Sequence, residues 1–370
     1  MVIKRGNTWY VRIGTKNAAG KSIQKWISCP HIKTESEAKK EEIRLRSQQR
    51  SGHRVDTSKE TVRDFLGRWL QGVKASVQVT TYETNERHVN NHLIPHLGNR
   101  RLSELNANDL RLFYSEMKES GRIDGKGGLS ACSVGHLHRV LYQALQQAVN
   151  DGLLERNPVG LVKPPKPDDA DVVILNEQQA HQLLAAAAGT VLYLPILLAL
   201  FTGLRRGEIL ALRWEDIDLQ RETVSVKWAA ARVNAGTLIK RPKSKSSRRT
   251  IFLPPGATSV LRNYQRAEGL ILCRPDGRPM APDAFSHAFA DLLRRNKLPK
   301  MRFHDLRHTH VSLLIKYGVE MKAISSRVGH SGIGVTMDVY GHLLTSVEQD
   351  AAQRFERGFQ ANCGAAAEPD

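Results

Sequence analysis

Residues 201–212 read Phe-Thr-Gly-Leu-Arg-Arg-Gly-Glu-Ile-Leu-Ala-Leu. The apolar side chains before the Thr202-Gly203 pair predict a helix that ends at a turn, and the next helix is expected to begin at Arg205. The N-terminus of a helix presents backbone N–H groups that favour an anion, so an arginine at this point indicates an anion site. Because arginines at turns are common, this stretch by itself is equally consistent with an ordinary surface arginine.

A strongly basic stretch follows further along the chain. Residues 240–250 read Lys-Arg-Pro-Lys-Ser-Lys-Ser-Ser-Arg-Arg-Thr, directly before a predicted strand. We interpret them as the tip of a basic hairpin. Such a loop can reach a DNA groove, and a lysine in it can donate a proton. A solvated run of charge is the commoner explanation of a basic hairpin, and it stays open for this stretch alone.

Two later segments combine histidine with arginine or tyrosine. Residues 304–310 read His-Asp-Leu-Arg-His-Thr-His, which predicts that His304 and Arg307 share one helix face. Residues 329–342 read Gly-His-Ser-Gly-Ile-Gly-Val-Thr-Met-Asp-Val-Tyr-Gly-His. Taken singly, His330 and Tyr340 are typical of capping or core residues. No acid or cysteine lies at a ligand spacing such as His-Glu-x-x-His, so we predict no metal site.

Together the four segments resemble the tyrosine recombinase (phage integrase) family. The shared pattern is Thr-Gly-Leu-Arg-x-Gly-Glu, a hairpin lysine, His-x-x-Arg, Gly-His and a tyrosine ten residues later, all in family order. The resemblance covers residues 172–350 strongly, residues 59–165 by position and helix content, and residues 1–54 least. The catalytic pattern has no departure from that of the family, so an active enzyme is expected.

The resemblance implies transesterification at a DNA phosphodiester, without a cofactor, ATP or metal ion. Tyr340 is then the nucleophile that forms a 3′-phosphotyrosyl bond and releases a 5′-hydroxyl, and the partner strand's 5′-hydroxyl reverses the step. The leaving oxygen needs a proton. Lys243 is the expected general acid, with Lys245 as the alternative.

The other groups of the pattern then take supporting roles. A guanidinium binds phosphate oxygens in a bidentate fork, so Arg205 and Arg307 are expected to hold the phosphoryl oxygens. His330 is expected to bond the non-bridging oxygens, and His304 to do likewise or to help move the tyrosine proton. Glu208 is expected to orient this set without touching DNA. The extra histidines are expected to hydrogen bond within the helical core, namely His308, His310 and His342.

The charge balance independently indicates a polyanionic partner. The chain of 370 residues has 55 Lys and Arg against 37 Asp and Glu, a net charge of +18. Residues 1–54 hold 13 of the basic and 4 of the acidic residues, so half of the excess lies in a seventh of the chain. A merely solubilising surface is the alternative, but nucleic acid is favoured. The side chains expected to contact DNA are Arg12, Lys25, Lys245, Arg248 and Arg249.

We therefore expect a multidomain chain that is mainly α with small β-sheets. Residues 1–55 are predicted to form a small basic β-sheet with one helix, identified by resemblance as an arm-type DNA-binding domain. Residues 59–165 are expected to form a helical core-binding domain, in which the second helix stops at Pro95. Residues 172–350 are expected to form an α+β tyrosine recombinase catalytic domain, and residues 351–370 a C-terminal tail. The proline-rich stretch 163–171 is the predicted linker.

The partners implied by the resemblance are double-stranded DNA attachment sites of core and arm type and a homotetramer on synapsed DNA. A host DNA-bending protein and an excisionase are further expected partners. Widely spaced cysteines and the lack of a long apolar stretch predict a cytoplasmic protein that is not associated with a membrane. The resemblance implies a bacterial host and association with its nucleoid.

The expected function is integration, and also excision, of a phage or another mobile element. Two alternatives stay open at this point. One is a non-catalytic DNA-binding regulator with the same fold, and the other is a topoisomerase IB-like enzyme that relaxes DNA.

Overall fold

The computed structural model describes residues 2–6, 8–16, 22–30, 32, 34–50, 60–167, 172–242, 248–265, 268–274 and 276–329, with 332, 334, 337, 355, 356 and 359 as single positions. The chain divides into two compact units, Met1–Asp169 and Ala170–Asp370. Within the described ranges, no helix is long and apolar enough to cross a bilayer.

The first unit begins with a small antiparallel sheet and a helix. The elements are β1 (Val2–Arg5), β2 (Thr8–Lys16), β3 (Ser22–Cys29) and α1 (Glu35–Arg50). The strands pair in the order β1-β2-β3. Thr34 begins α1 with a capping box, because its Oγ1 accepts the N–H of Glu37 and its own N–H donates to the Glu37 carboxylate. One face of the sheet packs on α1 through a small core of Val11, Cys29, Ile32 and Ala38. This agrees with the predicted basic sheet-plus-helix module.

The remainder of the first unit is helical. Its helices are α2 (Val62–Lys74), α3 (Val79–His88), α4 (Ile94–Leu97), α5 (Ala107–Ser120) and α6 (Ala131–Asn150). Capping boxes begin α2 at Thr61 and α5 at Asn106. The predicted apolar stripes are the faces that the structure buries, with Phe65, Leu110 and Leu141 in one continuous core.

The predicted stop at Pro95 is wrong. A π-helical turn, Val89–Leu93, links α3 directly to α4, so the helical run passes Pro95 and ends at Leu97. Pro95 is the second residue of α4, so its missing N–H falls directly after the wider π-helical turn. The wider turn before it therefore allows the chain to continue as a helix.

Among its described residues, the second unit combines helices with two small sheets. The helices are α7 (Glu177–Ala187), α8 (Tyr193–Thr202), α9 (Arg206–Leu210), α10 (Pro255–Tyr264), α11 (Pro282–Arg295), α12 (Asp305–Lys316) and α13 (Met321–Val328). One sheet consists of β4 (Ile217–Asp218), β5 (Thr223–Val226) and β8 (Arg249–Phe252), paired in the order β4-β5-β8. The other sheet consists of β6 (Ala229–Val233) and β7 (Gly236–Lys240). Helix α8 is buried along nearly its whole length, so it forms the centre of the unit's core.

The strands on either side of the basic stretch, β7 and β8, are not the two arms of one hairpin. Strand β7 pairs with β6, whereas β8 pairs with β5, so residues 241–248 join strands that belong to different sheets. The β6–β7 hairpin was not predicted, because the alanines of β6 have a low β propensity and give little signal.

Candidate active site

The turn between α8 and α9 requires glycine at position 203. Gly203 ends α8 with φ +66°, and a Cβ there would lie 2.7 Å from Cδ2 of His310 and 3.0 Å from Cγ1 of Val328. The C-terminal end of α8 therefore lies close to α12 and α13. Arg205 occupies the N-cap position of α9, as the sequence predicted.

Arg205 makes three hydrogen bonds within the protein, and its side chain stays accessible. Its Nη1 donates to Oε1 of Glu208 at 2.9 Å, and its backbone N–H donates to Oε2 of the same carboxylate at 2.9 Å. Its Nη2 donates to the carbonyl of Gly329 at 3.0 Å. The side chain is 35% exposed, so the guanidinium is fixed in direction and still open to a ligand.

Arg307 reaches the same turn from α12. It is 2% exposed, and its Nη1 donates to the carbonyl of Gly203 at 2.8 Å. Because Gly203 lies two residues before Arg205, this single turn brings the two arginines together.

His304 lies at the N-terminal end of α12, beside these arginines. Its ring packs edge-on against His308, with the ring centroids 5.3 Å apart. Loss of surrounding water, followed by the positive charges of His308, Arg307 and Arg205, lowers the pKa of His304 to about 4, although Asp305 acts in the opposite direction. His304 is therefore neutral at pH 7 in the DNA-free protein and can accept a proton.

Glu208 and Arg249 form a buried ion pair behind Arg205. Glu208 is 4% exposed, and its two oxygens accept from Nη1 and Nη2 of Arg249 at 3.2 and 3.0 Å. Burial raises the pKa of Glu208, but the hydrogen bond and charge of Arg249, aided by Arg205, outweigh it and keep this pKa below its ordinary value. The carboxylate is therefore ionised between two guanidinium groups.

Arg249 was expected from the sequence to contact DNA, and the structure places it beside Glu208. Its side chain is only 7% exposed and faces Glu208 inside the protein. A sequence signal did exist, since Arg249 and the buried Ile251 are two residues apart in β8 and so share one face. Charge alone could not distinguish this arginine from Arg248, which is exposed as expected.

Arg327 was not singled out from the sequence. Its Nη2 donates to the carbonyls of Phe201 and Phe252 at 2.7 and 3.0 Å, and its Nε donates to Nε2 of His310 at 3.2 Å. Nδ1 of His310 in turn donates to the carbonyl of Leu200 at 2.7 Å. Burial, together with the charge of Arg327, lowers the pKa of His310 to about 4. The expectation that His310 hydrogen bonds within the core therefore fits the structure.

Several predicted residues lie outside the part of the chain that the structure describes. These are Lys243, Lys245, His330, Tyr340 and His342. Among the N-terminal DNA contacts, Arg12 has its guanidinium 5.8 Å from the centroid of the Trp26 ring. The backbone of Lys25 pairs with Ile13, and its side chain is not among those described. The described residues include no group of three or more His, Cys, Asp or Glu that could bind a metal ion.

Two convergent arginines and a neutral histidine next to a helix N-terminus form a site suited to a phosphodiester anion. Comparison with protein families agrees with this class of site. The profile described as "Phage integrase family" matches residues 174–346, and the profile of its N-terminal SAM-like domain matches residues 61–118. The chain thus belongs to the phage integrase family of tyrosine recombinases, enzymes that act on DNA as site-specific recombinases.

Relatives and solved structures are similar over most of the chain. A tyrosine recombinase XerC-like protein of Caldanaerobacter subterraneus subsp. tengcongensis is 27% identical over 95% of this chain and 96% of its own. The ICEBs1 integrase of Bacillus subtilis is 24% identical over 88% of this chain and 91% of its own. The Tn1549 transposon integrase, solved with transposon right end DNA, has a TM-score of 0.67 at 25% identity and covers 80% of this chain and 99% of its own. A lambda integrase tetramer on a Holliday junction has a TM-score of 0.57 at 17% identity and covers 90% of this chain and 95% of its own. This similarity supports the fold alone.

Proposed function

We propose that this chain is the integrase of a phage or another mobile element, cutting and rejoining DNA through a 3′-phosphotyrosyl intermediate on Tyr340. The observation that supports this most is the meeting of Arg205 and Arg307 at the Gly203 turn, beside a neutral His304. Fixed guanidinium groups stabilise the charge that develops on phosphoryl oxygens without the help of a metal ion. The phosphotyrosyl bond conserves the energy of the phosphodiester, so religation needs no ATP.

The proposed roles follow from chemistry and from geometry. Arg205 and Arg307 bind the phosphoryl oxygens. Neutral His304 accepts the phenolic proton or a hydrogen bond, because a phenol with a pKa near 10 is a poor nucleophile until it loses that proton. His330 bonds a non-bridging oxygen, and it directly follows Gly329, whose carbonyl binds Arg205.

The remaining roles concern the leaving group and support of the site. Lys243 protonates the leaving 5′-oxygen, and Lys245 is the alternative. Glu208 orients Arg205 without contacting DNA, in keeping with its burial and its hydrogen bonds to the Arg205 side chain and backbone.

The N-terminal sheet is proposed to bind a second, arm-type DNA site, while residues 59–165 and 172–350 bind the core-type site. The sheet face away from α1 presents Arg5, Tyr10, Arg12 and Trp26, and both arginines lie over the Trp26 ring at 5.7 and 5.8 Å. A sheet face of arginine and aromatic side chains suits a DNA groove and its phosphates. Binding of two sites by one chain raises the effective concentration of each.

The active assembly is proposed to be a homotetramer on two synapsed duplexes, joined by exchange of residues after Tyr340. An apolar cavity of about 680 Å³ in the second unit is the proposed acceptor surface, lined by residues such as Leu184, Leu200 and Leu314. Phe355 and Phe359 are exposed and stack with ring centroids 5.8 Å apart, so the tail has apolar groups to donate. The lambda integrase was solved as a tetramer on a Holliday junction, which supports this assembly by analogy of fold.

Further partners are proposed because one chain would bridge two distant DNA sites, of arm type and core type. A short duplex resists bending, so a host DNA-bending protein is a proposed partner. An excisionase is proposed to bias the reaction toward excision. The chain is proposed to work in the cytoplasm of a bacterial host, on nucleoid DNA.

Covalent trapping tests the proposed function. The full chain is mixed, in EDTA, with a suicide duplex nicked near a core site taken from the junctions of the host element, and the products are separated on a denaturing gel. We expect a slower protein–DNA band that is absent with Tyr340→Phe, although Tyr340→Phe still shifts the duplex on a native gel. Binding by both proteins with trapping by neither would refute the catalytic proposal and favour the regulator. Relaxation of supercoiled DNA without site preference would favour the topoisomerase-like alternative.

A further inference from the structure

Arg249 contacts two separate parts of the candidate active site from inside the protein. Its Nη1 and Nη2 bind the Glu208 carboxylate, which in turn binds both the side chain and the backbone of Arg205. Its Nε donates to the carbonyl of Arg327 at 2.7 Å. Arg327 lies in the last turn of α13, two residues before Gly329, whose carbonyl is bound by Arg205. One guanidinium therefore connects the N-terminus of α9 with the C-terminus of α13.

We infer that Arg249 is a positioning residue for strand cleavage. It holds Arg205 and the end of α13 in the relative arrangement that the scissile phosphate requires, and it does not contact DNA itself. This inference rests on the proposed function. The three guanidinium nitrogens of Arg249 already donate within the protein, two to the Glu208 carboxylate and one to the carbonyl of Arg327.

The shape of the arginine side chain explains why this position needs it. A planar guanidinium presents a pair of parallel donors to a carboxylate and a third donor, Nε, in another direction. Lysine has one compact ammonium group, so it can oppose the charge of Glu208 but cannot also keep this geometry with the Arg327 carbonyl. Arg327 has its own bonds to Phe201 and Phe252, so loss of Arg249 is expected to shift the end of α13 without releasing it.

The test compares Arg249→Lys and Arg249→Met with the wild-type full chain. DNA affinity is measured by titration, and cleavage is measured in a single turnover. The suicide duplex has either an ordinary phosphate or a neutral methylphosphonate at the scissile position. The matched control is Arg262→Lys, because Arg262 also donates to a main-chain carbonyl of this unit, that of Leu219 at 3.1 Å, at a distance from the site.

We expect both Arg249 variants to bind DNA within about twofold of the wild type and to cleave the phosphate substrate on the order of 100-fold more slowly, the loss typical of one misplaced oxyanion donor. The deficit relative to the wild type should shrink on the methylphosphonate, because its non-bridging position lacks the charge that Arg205 must stabilise. Arg262→Lys should behave as the wild type on both substrates.

Three results would overturn the inference. One is an equal loss on the two substrates together with a lowered Tm, which indicates a general structural role. Another is weakened binding in proportion to cleavage, which indicates a DNA contact. The third is unchanged cleavage. Arg249→Lys retains the charge opposite Glu208, so it provides a folded variant in case Arg249→Met unfolds. Failure of the wild-type chain itself to cleave verified sites would instead contradict the proposed function.

Discussion

Nη2 of Arg205 donates to the carbonyl of Gly329 at 3.0 Å, across 124 residues of sequence. Gly329 closes α13 in the left-handed conformation, with φ +69°, and directly precedes His330. The arginine proposed to bind the phosphate is therefore attached to the helix that leads into the segment with the proposed nucleophile. The bond is to the main chain, so it depends on the path of the backbone more than on the side chains of α13.

The first prediction concerns the turn that presents Arg205. Gly203→Ala should lower the free energy of unfolding by about 2 to 3 kcal/mol, because it puts a side chain in the left-handed region and a Cβ against His310 and Val328. Urea denaturation followed by circular dichroism measures this. Gly256→Ala is the control, since a Cβ at Gly256, in α10, meets nothing within 4 Å. Equal stability of the two variants would show that the turn tolerates a side chain.

The second prediction concerns the buried carboxylate between two arginines. Glu208→Gln should lower the free energy of unfolding at pH 7 by roughly 3 kcal/mol, because it leaves Arg249 buried beside a neutral group. Asp291→Asn is the control, because Asp291 pairs with Arg294 at the surface of the same unit, where little change is expected. A loss for Glu208→Gln no larger than that of the control would mean that the buried pair adds nothing to stability.

The stability difference between wild type and Glu208→Gln should depend on pH, and the lowered pKa of Glu208 gives the direction of this dependence. The folded pKa of Glu208 lies below its ordinary value of 4.5, so the unfolded state binds the proton more readily. The stabilisation by ionised Glu208 is fully present above pH 4.5 and is lost as the pH falls through the lower, folded value. Denaturation curves should therefore show a constant gap between wild type and Glu208→Gln above pH 5 and a narrowing gap below pH 4.5. A gap that widens in acid would contradict the lowered pKa.

The third prediction concerns the N-terminal sheet. Arg12→Ala and Trp26→Ala should weaken binding to an arm-type duplex but leave core-site cleavage unchanged. A plot of log affinity against log salt concentration has a negative slope. For each phosphate that the variant no longer binds, this slope should become less steep by about 0.9. Fluorescence anisotropy at several salt concentrations measures both effects. Lys39→Ala on α1 is the control, since Lys39 pairs with Glu35 away from the proposed face. A similar loss on core and arm duplexes would argue against a separate second site.

Much of the fold could be predicted because local signals agree with the packing. The apolar face of α2, the capping box at Thr34 and the turn at Gly203 each follow from spacing rules that involve only neighbouring residues. The proximity of Arg205 and Arg307 could be expected from the family resemblance, since no local rule joins residues so far apart in the sequence.

The rest could not be predicted, because it depends on packing between distant segments. The alternation in β8 indicated that Arg249 shares a face with Ile251, but no local rule indicated that this face would meet Glu208, because that contact depends on the pairing of β8 with β5. Arg327 had no signal, because its partners are main-chain carbonyls at Phe201 and Phe252, which every residue has. The helix through Pro95 depends on a π-helical turn, for which residues 89–93 give no recognised pattern.

The last prediction concerns the protonation of His304. Its pKa is lowered to about 4 by loss of water and by the charges of His308, Arg307 and Arg205. In the free protein, we expect its imidazole to titrate near pH 4. In the complex with DNA, the midpoint should rise, because a bound phosphate opposes the two arginine charges that depress it. Histidine-selective NMR titration of the Tyr340→Phe chain, with and without a core duplex, measures both values. His304→Gln identifies the resonance. A midpoint near the ordinary 6.5 in the free protein would contradict the lowered pKa that burial and the neighbouring positive charges are expected to cause.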